Sequence, residues 1–411
     1  MNKGIPVSAF NKIFFAFAAI FLIACAIAVY QRGGKDLKVG LYGVVQTLHR
    51  QSPYDNYRDP ERPLFRYAPV FALMQYPFLL ESEMTAPFEF QHIGLSCLAW
   101  YFTVALSLFV SGRLLLKIVP AASFKISERN LKIGFLMAAP LIAYELTNGQ
   151  NKLLALCFML AAIFFFEQDK LFPAAVFFNL ALVVYVALLP FIIYFLIKRR
   201  RFIFYFFLGV MVVFLIFPSL VFGLKYNLYL LYEWWTKAIK PFFITNSYTT
   251  YVDLRRSSQA LPSAIGRMLA VNENRQIRYF LAPELIHIVI RFCAAIIVLI
   301  SSLAVYKNSR PIAKGLACSI FLMLALLLPQ YCIYYTWSWI FVFYYAVLNY
   351  ISYDEVMPGH KRLLVAAVLL SYLSICLIGV NTLKSLSFLF WSTLILWGGM
   401  VTVMIRERYQ R

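Results

Sequence analysis

Few side chains in this sequence could do chemistry, and carboxylates are scarce: 18 acids stand against 38 lysines and arginines. Asp36 is the first acid in the chain. It lies a few residues beyond the first apolar run, in the polar stretch 33–69 that also carries Asp55 and Asp59. A carboxylate where water meets lipid headgroups is well placed to take a proton from an attacking hydroxyl. The competing reading is a solvated loop acid between Lys35 and Lys38. Asp55 and Asp59, in Tyr-Asp-Asn and Asp-Pro contexts, read as turn residues.

Other polar groups cluster near the ends of apolar runs. Gln150 and Asn151 follow Asn148-Gly149, an ordinary helix-stop signal. Their amides could equally hydrogen-bond hydroxyl groups, and Gln259 in a later loop has the same two readings. Glu284, His287 and Arg291 are spaced three and four apart, so they share one helix face. Ionisable groups inside a span face a cavity or one another. They read either as an internal Glu–Arg pair or as contacts to an anion. The four histidines form no HExxH-type pair, and the seven cysteines show no CxxC or Cys/His spacing. The cysteines read as small buried hydrophobes, so neither a metal nor a cofactor is expected.

The elements that must position these groups are set by composition. The 411 residues are 62% hydrophobic and 14% charged, whereas soluble domains have about 45–50% apolar and about 25% charged residues. Apolar runs at 13–30, 90–112, 132–147, 150–166, 171–184, 186–197, 202–223, 283–306, 313–331, 334–352, 363–381 and 385–405 predict an all-α polytopic membrane protein of about twelve spans. The run 171–197 contains Pro190 and reads as two short helices, tolerated at membrane depth where they line a protein cavity. Leu22-Ile23-Ala24-Cys25 looks like a lipoprotein cleavage box, but a retained first span is the expectation. Residues 1–411 read as one integral membrane domain, with no soluble domain or repeat.

The net charge of +20 is explained by basic residues gathered at loop ends. Arg113, Lys117, Lys125, Arg129 and Lys132 form one cluster and Lys198-Arg199-Arg200-Arg201 another. Lys307, Arg310 and Lys314, then His360-Lys361-Arg362, and finally Arg406, Arg408 and Arg411 complete the set. All fall on one side if both termini are cytoplasmic and 67–80 lies in the interface as a short helix. Nucleic acid is not expected as a partner; membrane lipid is. The outer face then receives a first loop at 31–89, the turn 145–151 and a large loop at 224–282. That large loop opens with Tyr226, Tyr229, Tyr232, Trp234 and Trp235, an interfacial aromatic pattern.

Five short motifs occur in order: Gly33-Gly34-Lys35-Asp36, Ser52-Pro53-Tyr54, Phe65-Arg66-Tyr67-Ala68-Pro69, Asn148-Gly149-Gln150-Asn151 and Ser257-Ser258-Gln259-Ala260-Leu261. Together they resemble the GT-C membrane glycosyltransferases, and most closely the glycosyltransferase 87 family of polyprenyl-phosphate-mannose-dependent mannosyltransferases. There are departures. Ala68 replaces the first proline of a Tyr-Pro-Pro pattern. Val184-Tyr185-Val186 stands where that family often has a lysine between two short helices. A late Ser-Pro-x-Ser-Trp-x-His pattern appears only as Leu328-Pro329-Gln330-Tyr331, with Trp337 and Ser338 downstream and no histidine.

The resemblance implies a GT-C-like fold and a hexosyltransferase of a bacterial inner membrane, working at its outer face, and a monomer. The donor would be a polyprenyl-phosphate sugar, mannose-like, and the acceptor a glycan or glycolipid. The reaction would be an inverting single displacement with Asp36 as base. The leaving phosphate needs cationic or N–H donors. Arg66, Arg255, Arg256 and Arg291 are the candidate cations, with Tyr67, Gln150, Asn151, Gln259 and His287 as further substrate contacts. The competing class is a transporter or lipid flippase, which would place its charges mid-span and often shows paired halves.

Overall fold

The computed structural model describes residues 7–32, 35–54, 65–79, 94–240, 258–273, 276–306, 310–329 and 332–409. Asp55, Asp59, Arg255 and Arg256 lie outside them. The fold is helical, as the apolar runs predict, with one addition: strands β1 (Ala270–Glu273) and β2 (Gln276–Tyr279) form an antiparallel hairpin.

The chain opens with α1 (Val7–Arg32) and α2 (Lys35–Leu48). The stretch 31–89, expected as a loop, instead contains α2. Leu37, Leu41 and Val44 are buried on one face at helical spacing,. Gly40 and Gly43 let this helix close on the Gln75 side chain and the Phe65 ring, where a Cβ would collide. The short helix expected within 67–80 is α3 (Pro69–Gln75), followed by a 3₁₀ turn at Tyr76–Phe78.

Helices α4 (Gly94–Ile118), α5 (Phe124–Thr147), α6 (Lys152–Glu167) and α7 (Leu171–Val184) follow. A 3₁₀ segment (Val186–Phe191) containing Pro190 leads into α8 (Ile192–Lys198). Next, α9 (Phe202–Val210) and α10 (Phe217–Phe222) are joined through a π turn. Helix α11 (Leu224–Glu233) continues into a second π turn at Trp234–Ile239. Then come α12 (Leu261–Met268), the hairpin, α13 (Pro283–Val305), α14 (Lys314–Leu327), α15 (Ile340–Ile351), α16 (Pro358–Cys376), α17 (Asn381–Ser385) and α18 (Phe388–Tyr409).

Twelve apolar runs do not give twelve long helices. Among the described residues six helices are long and apolar enough to cross a membrane, or seven if the bent pair α5–α6 counts as one. The runs at 171–184, 186–198 and 311–327 form shorter apolar helices. Helix α14 has 14 residues, and every side chain from Gly315 to Leu327 is buried. At 1.5 Å per residue it rises only about 21 Å, short of the roughly 30 Å hydrocarbon thickness. A helix apolar all round belongs inside a protein or in lipid, and burial places α14 inside. The long helices show the opposite exposure: Phe204 and Leu220 on α9–α10 are 67% and 80% exposed. Such apolar surface on a chain this hydrophobic marks a membrane protein.

The sharpest break in the helical core lies between α5 and α6, whose axes bend by 117°. Gly149 has φ +67°, the left-handed value a helix-ending glycine adopts. The Gly149 N–H donates to Leu146 O at 3.2 Å and the Gln150 N–H to Glu145 O at 3.2 Å. This is the Schellman pattern that satisfies the last helical carbonyls. The Trp100 indole N–H donates to Gly149 O at 3.1 Å and fixes the turn against α4.

Candidate active site

The α5–α6 turn is where the polar groups converge. Glu145, in the last turn of α5, is fully buried. Its carboxylate accepts the Leu153 backbone N–H at 2.5 Å and the Ser338 hydroxyl. Leu153 lies in the first turn of α6, whose N–H groups have no helical acceptor. Glu145 therefore caps the next helix across the bend, where the helix dipole also favours negative charge. The Trp339 indole donates to Lys152 O at 2.9 Å. The segment 338–339 thus ties both sides of the break.

Lys152 begins α6, and its ammonium is held by aromatic rings. It lies 4.6 Å from the Tyr185 ring centroid and 5.8 Å from that of Tyr67. Both distances are within the cation–π range. Among the described residues no ion pair or hydrogen bond engages this ammonium. The acidic groups acting on it through space are Glu145, Asp36 and the Cys332 thiol.

Asp36 is in the first turn of α2 and half-buried. The helix N-terminus supports its charged form. Its charge acts through space on both Tyr67 and Lys152. Burial first, and the Asp36 charge second, hold the Tyr67 phenol well above the usual range; hydrogen bonding to Asn151 and the Arg66 charge offset only part of this. Tyr67 is therefore a neutral O–H at any working pH.

Gln150 and Asn151 are buried beside this group, and Gln150 Nε2 and Asn151 Oδ1 have no hydrogen-bond partner among the described residues. Orphaned buried amide atoms cost stability unless a ligand or water completes them. The helix-stop and substrate-contact readings of this turn are compatible: Asn148-Gly149 makes the stop, and Asn151 beyond it meets Tyr67.

Gln259 is fully buried one layer away. Its backbone N–H donates to Cys332 O at 2.8 Å and its side-chain amide to Lys384 O at 3.1 Å. Burial pushes the Cys332 thiol up to about 12, with the Lys152 charge and the Tyr185 and Thr336 side chains opposing. Arg66 is exposed beside Tyr67. His287 is half-buried and Arg291 exposed on α13. Among the described residues no contact ties either to the Asp36 group or joins Glu284 to Arg291. No cluster of three or more His, Cys, Asp or Glu side chains is placed to hold a metal among the described residues.

A second network sets the first loop. The Ser52 hydroxyl donates to Glu233 Oε2 at 3.1 Å and accepts the Tyr54 N–H at 3.2 Å. Glu233 also pairs with Lys237. The Tyr54 hydroxyl donates to Tyr67 O at 2.8 Å, and the Trp234 indole to Arg66 O at 3.1 Å. Arg50 donates to Phe222 O at 2.6 Å and lies over the Tyr226 ring at 4.9 Å. The Ser-Pro-Tyr turn is a clamp: it anchors α11 to the segment that carries Tyr67.

Sequence reasoning missed Lys152, Glu145, Ser338 and Glu233. The one legible signal was a charge, Glu145, in the last turn of an apolar helix with a lysine following the stop.

Comparison with protein-family models matches residues 65–329 to the model described as glycosyltransferase family 87. The match covers more than half of the chain, including Tyr67, the Gln150–Lys152 turn and Gln259; Asp36 precedes it. No curated protein and no solved structure matches.

Proposed function

The chain belongs to glycosyltransferase family 87, and from that premise we propose that it moves a hexose from a polyprenyl-phosphate donor to a glycan or glycolipid hydroxyl. The transporter reading loses its ground with that membership. The observation that carries the proposal is the juxtaposition of Asp36, Tyr67 and the aromatic-held Lys152 at the broken α5–α6 helix.

The step follows from these groups. The acceptor hydroxyl attacks the anomeric carbon while Asp36 takes its proton. The bond from that carbon to the phosphate oxygen breaks, and the electron pair leaves with polyprenyl phosphate. A phosphodiester monoanion becomes a monoester dianion, so negative charge grows on the leaving side. Lys152, held by the Tyr185 and Tyr67 rings, answers that charge,. Tyr67 supplies a neutral donor beside it. Gln150 and Asn151 offer amide groups to the sugar hydroxyls. One carboxylate is enough for a single displacement, and the anomeric configuration inverts.

Tyr185 stands where the family resemblance places a lysine, and the Lys152 ammonium lies over its ring. In this reading α6 supplies the cation that the short-helix pair lacks. The site faces the outer side of a bacterial inner membrane with both termini cytoplasmic, as the basic loop ends imply. Mannose is the first sugar to try, and monomeric protein is sufficient.

The test is transfer by purified protein in lipid nanodiscs. A panel of polyprenyl-phosphate sugars is offered with membrane glycolipid extracts as acceptors. Label appearing in product with inverted anomeric configuration supports the reading. Activity with nucleotide sugars and none with lipid-phosphate sugars would overturn it.

A further inference from the structure

Asp36 and Gly40 are one turn apart on α2, so they share a helix face, separated by about 6 Å along the axis. Against Gly40 stands Gln75, the last residue of α3. Its amide end occupies the room that the glycine leaves: a Cβ on Gly40 would collide with Gln75 Oε1, Cδ and Nε2. Gln75 is only 2% exposed, and its Oε1 has no hydrogen-bond partner among the described residues.

Packing alone does not account for this pair. A buried acceptor without a donor is destabilising, and an apolar side chain of similar shape would avoid that cost. A glycine inside a helix is likewise less stable than an alanine. The two choices make sense together, because the glycine opens the space and the amide brings an oxygen acceptor one turn from the base. Helix α3 is also held from its other side. Phe71 is fully buried and packs on the Tyr67 ring with centroids 4.2 Å apart and edge-on to Trp100 at 6.4 Å. Phe78 meets the same Trp100 at 5.1 Å, and Trp100 holds the Gly149 carbonyl of the α5–α6 turn. Helix α3 is therefore wedged between the helix of Asp36 and the broken turn. A carboxylate and an amide oxygen on one line suit an acceptor with two O–H groups. A sugar carries hydroxyls on adjacent carbons, whereas a long-chain alcohol has only one.

We propose, resting on the transferase reading above, that Gln75 is a specificity residue that accepts a hydrogen bond from a second hydroxyl of the acceptor. The reacting unit of the acceptor is then a sugar with a free hydroxyl next to the one that attacks, and not a lone lipid alcohol.

The experiment compares wild type with Gly40→Ala and Gln75→Leu in nanodiscs by two readouts. Gly40→Ala keeps Gln75 and only pushes its amide aside, since the atoms that a Cβ would meet are the far end of a flexible side chain. Both variants should melt at or above wild type: one gains helix propensity and the other loses an unpartnered buried oxygen. The first readout is kinetic. Acceptor KM should rise about 2- to 10-fold, the worth of one neutral hydrogen bond, with donor KM unchanged. The second needs no turnover: saturation-transfer NMR with methyl α-mannoside and methyl α-glucoside as probes. The signal seen with wild type should fall several-fold in both variants. If wild type transfers no sugar, the transferase reading fails by itself, and the binding readout alone decides the role of Gln75. Either readout unchanged in either variant, or no saturation transfer with wild type, overturns the proposal.

Discussion

The Lys152 ammonium sits 4.6 Å from the centre of the Tyr185 ring, a contact made across two helices whose order in the chain gives no hint of it. Tyr67 flanks the same ammonium at 5.8 Å. The positive charge is therefore oriented by π faces, which suits a group that must meet a leaving phosphate. Lys152→Gln should lower kcat by about 10- to 100-fold, the worth of a lost charge-assisted hydrogen bond at about 1.5–3 kcal/mol. Lys152→Arg should restore part of this, since a guanidinium stacks on rings but places its charge differently. Steady-state rates with saturating donor give the comparison.

Glu145 should act on stability and on the geometry of Lys152. Replacing it with alanine leaves the Leu153 N–H and the Ser338 hydroxyl unpaired in a buried place, at about 1–3 kcal/mol for each stranded group. Ser338→Ala removes one donor only and should cost about 1 kcal/mol. Melting in nanodiscs should rank wild type above Ser338→Ala above Glu145→Ala.

The first-loop clamp predicts coupling between distant positions. Ser52 and Glu233 are hydrogen-bonded at 3.1 Å although far apart in sequence. Ser52→Ala and Glu233→Gln should each loosen the segment bearing Tyr67, and the double variant should cost less than their sum. Hydrogen exchange at residues 50–54 and 65–68 reads this directly. Fully additive effects would show that the bond contributes nothing.

High pH should release the same clamp. Burial leads in pushing the Tyr226 phenol up to about 12, and burial also leads in raising Tyr54. Unfolded tyrosines titrate near pH 10. A raised folded value means the neutral form is favoured by folding. The contribution is complete below about pH 10 and is lost as pH climbs toward 12. Exchange protection of residues 50–54 should therefore hold to about pH 10 and fall above it, and a Tyr226→Phe variant should shift the onset.

How much of this was legible varies by residue. Asp36, Gln150 and Asn151 stood out because polar groups at the ends of apolar runs are rare in this chain. Lys152 did not, since a lysine in the first turn of an apolar helix normally snorkels to the interface. Its value depends on the 117° bend and on Tyr185, neither visible locally. Helix α2 was readable in principle from Leu37, Leu41 and Val44, but Gly40, Gly43 and the flanking lysines disguised it as loop. The apolar runs gave the helices correctly. They did not separate α14, buried among protein, from α9, exposed to lipid, because burial in either solvent selects the same side chains. Glu233 and Ser52 are too far apart in sequence for spacing to connect them.

The account rests on Asp36 as the base. The direct measurement is the initial rate of sugar transfer by Asp36→Asn in nanodiscs, with insertion and melting verified against wild type. Loss of a positioned general base should cost about 10²–10⁴ in kcat, with donor binding retained. A folded Asp36→Asn protein that transfers sugar within a few-fold of the wild-type rate would contradict it.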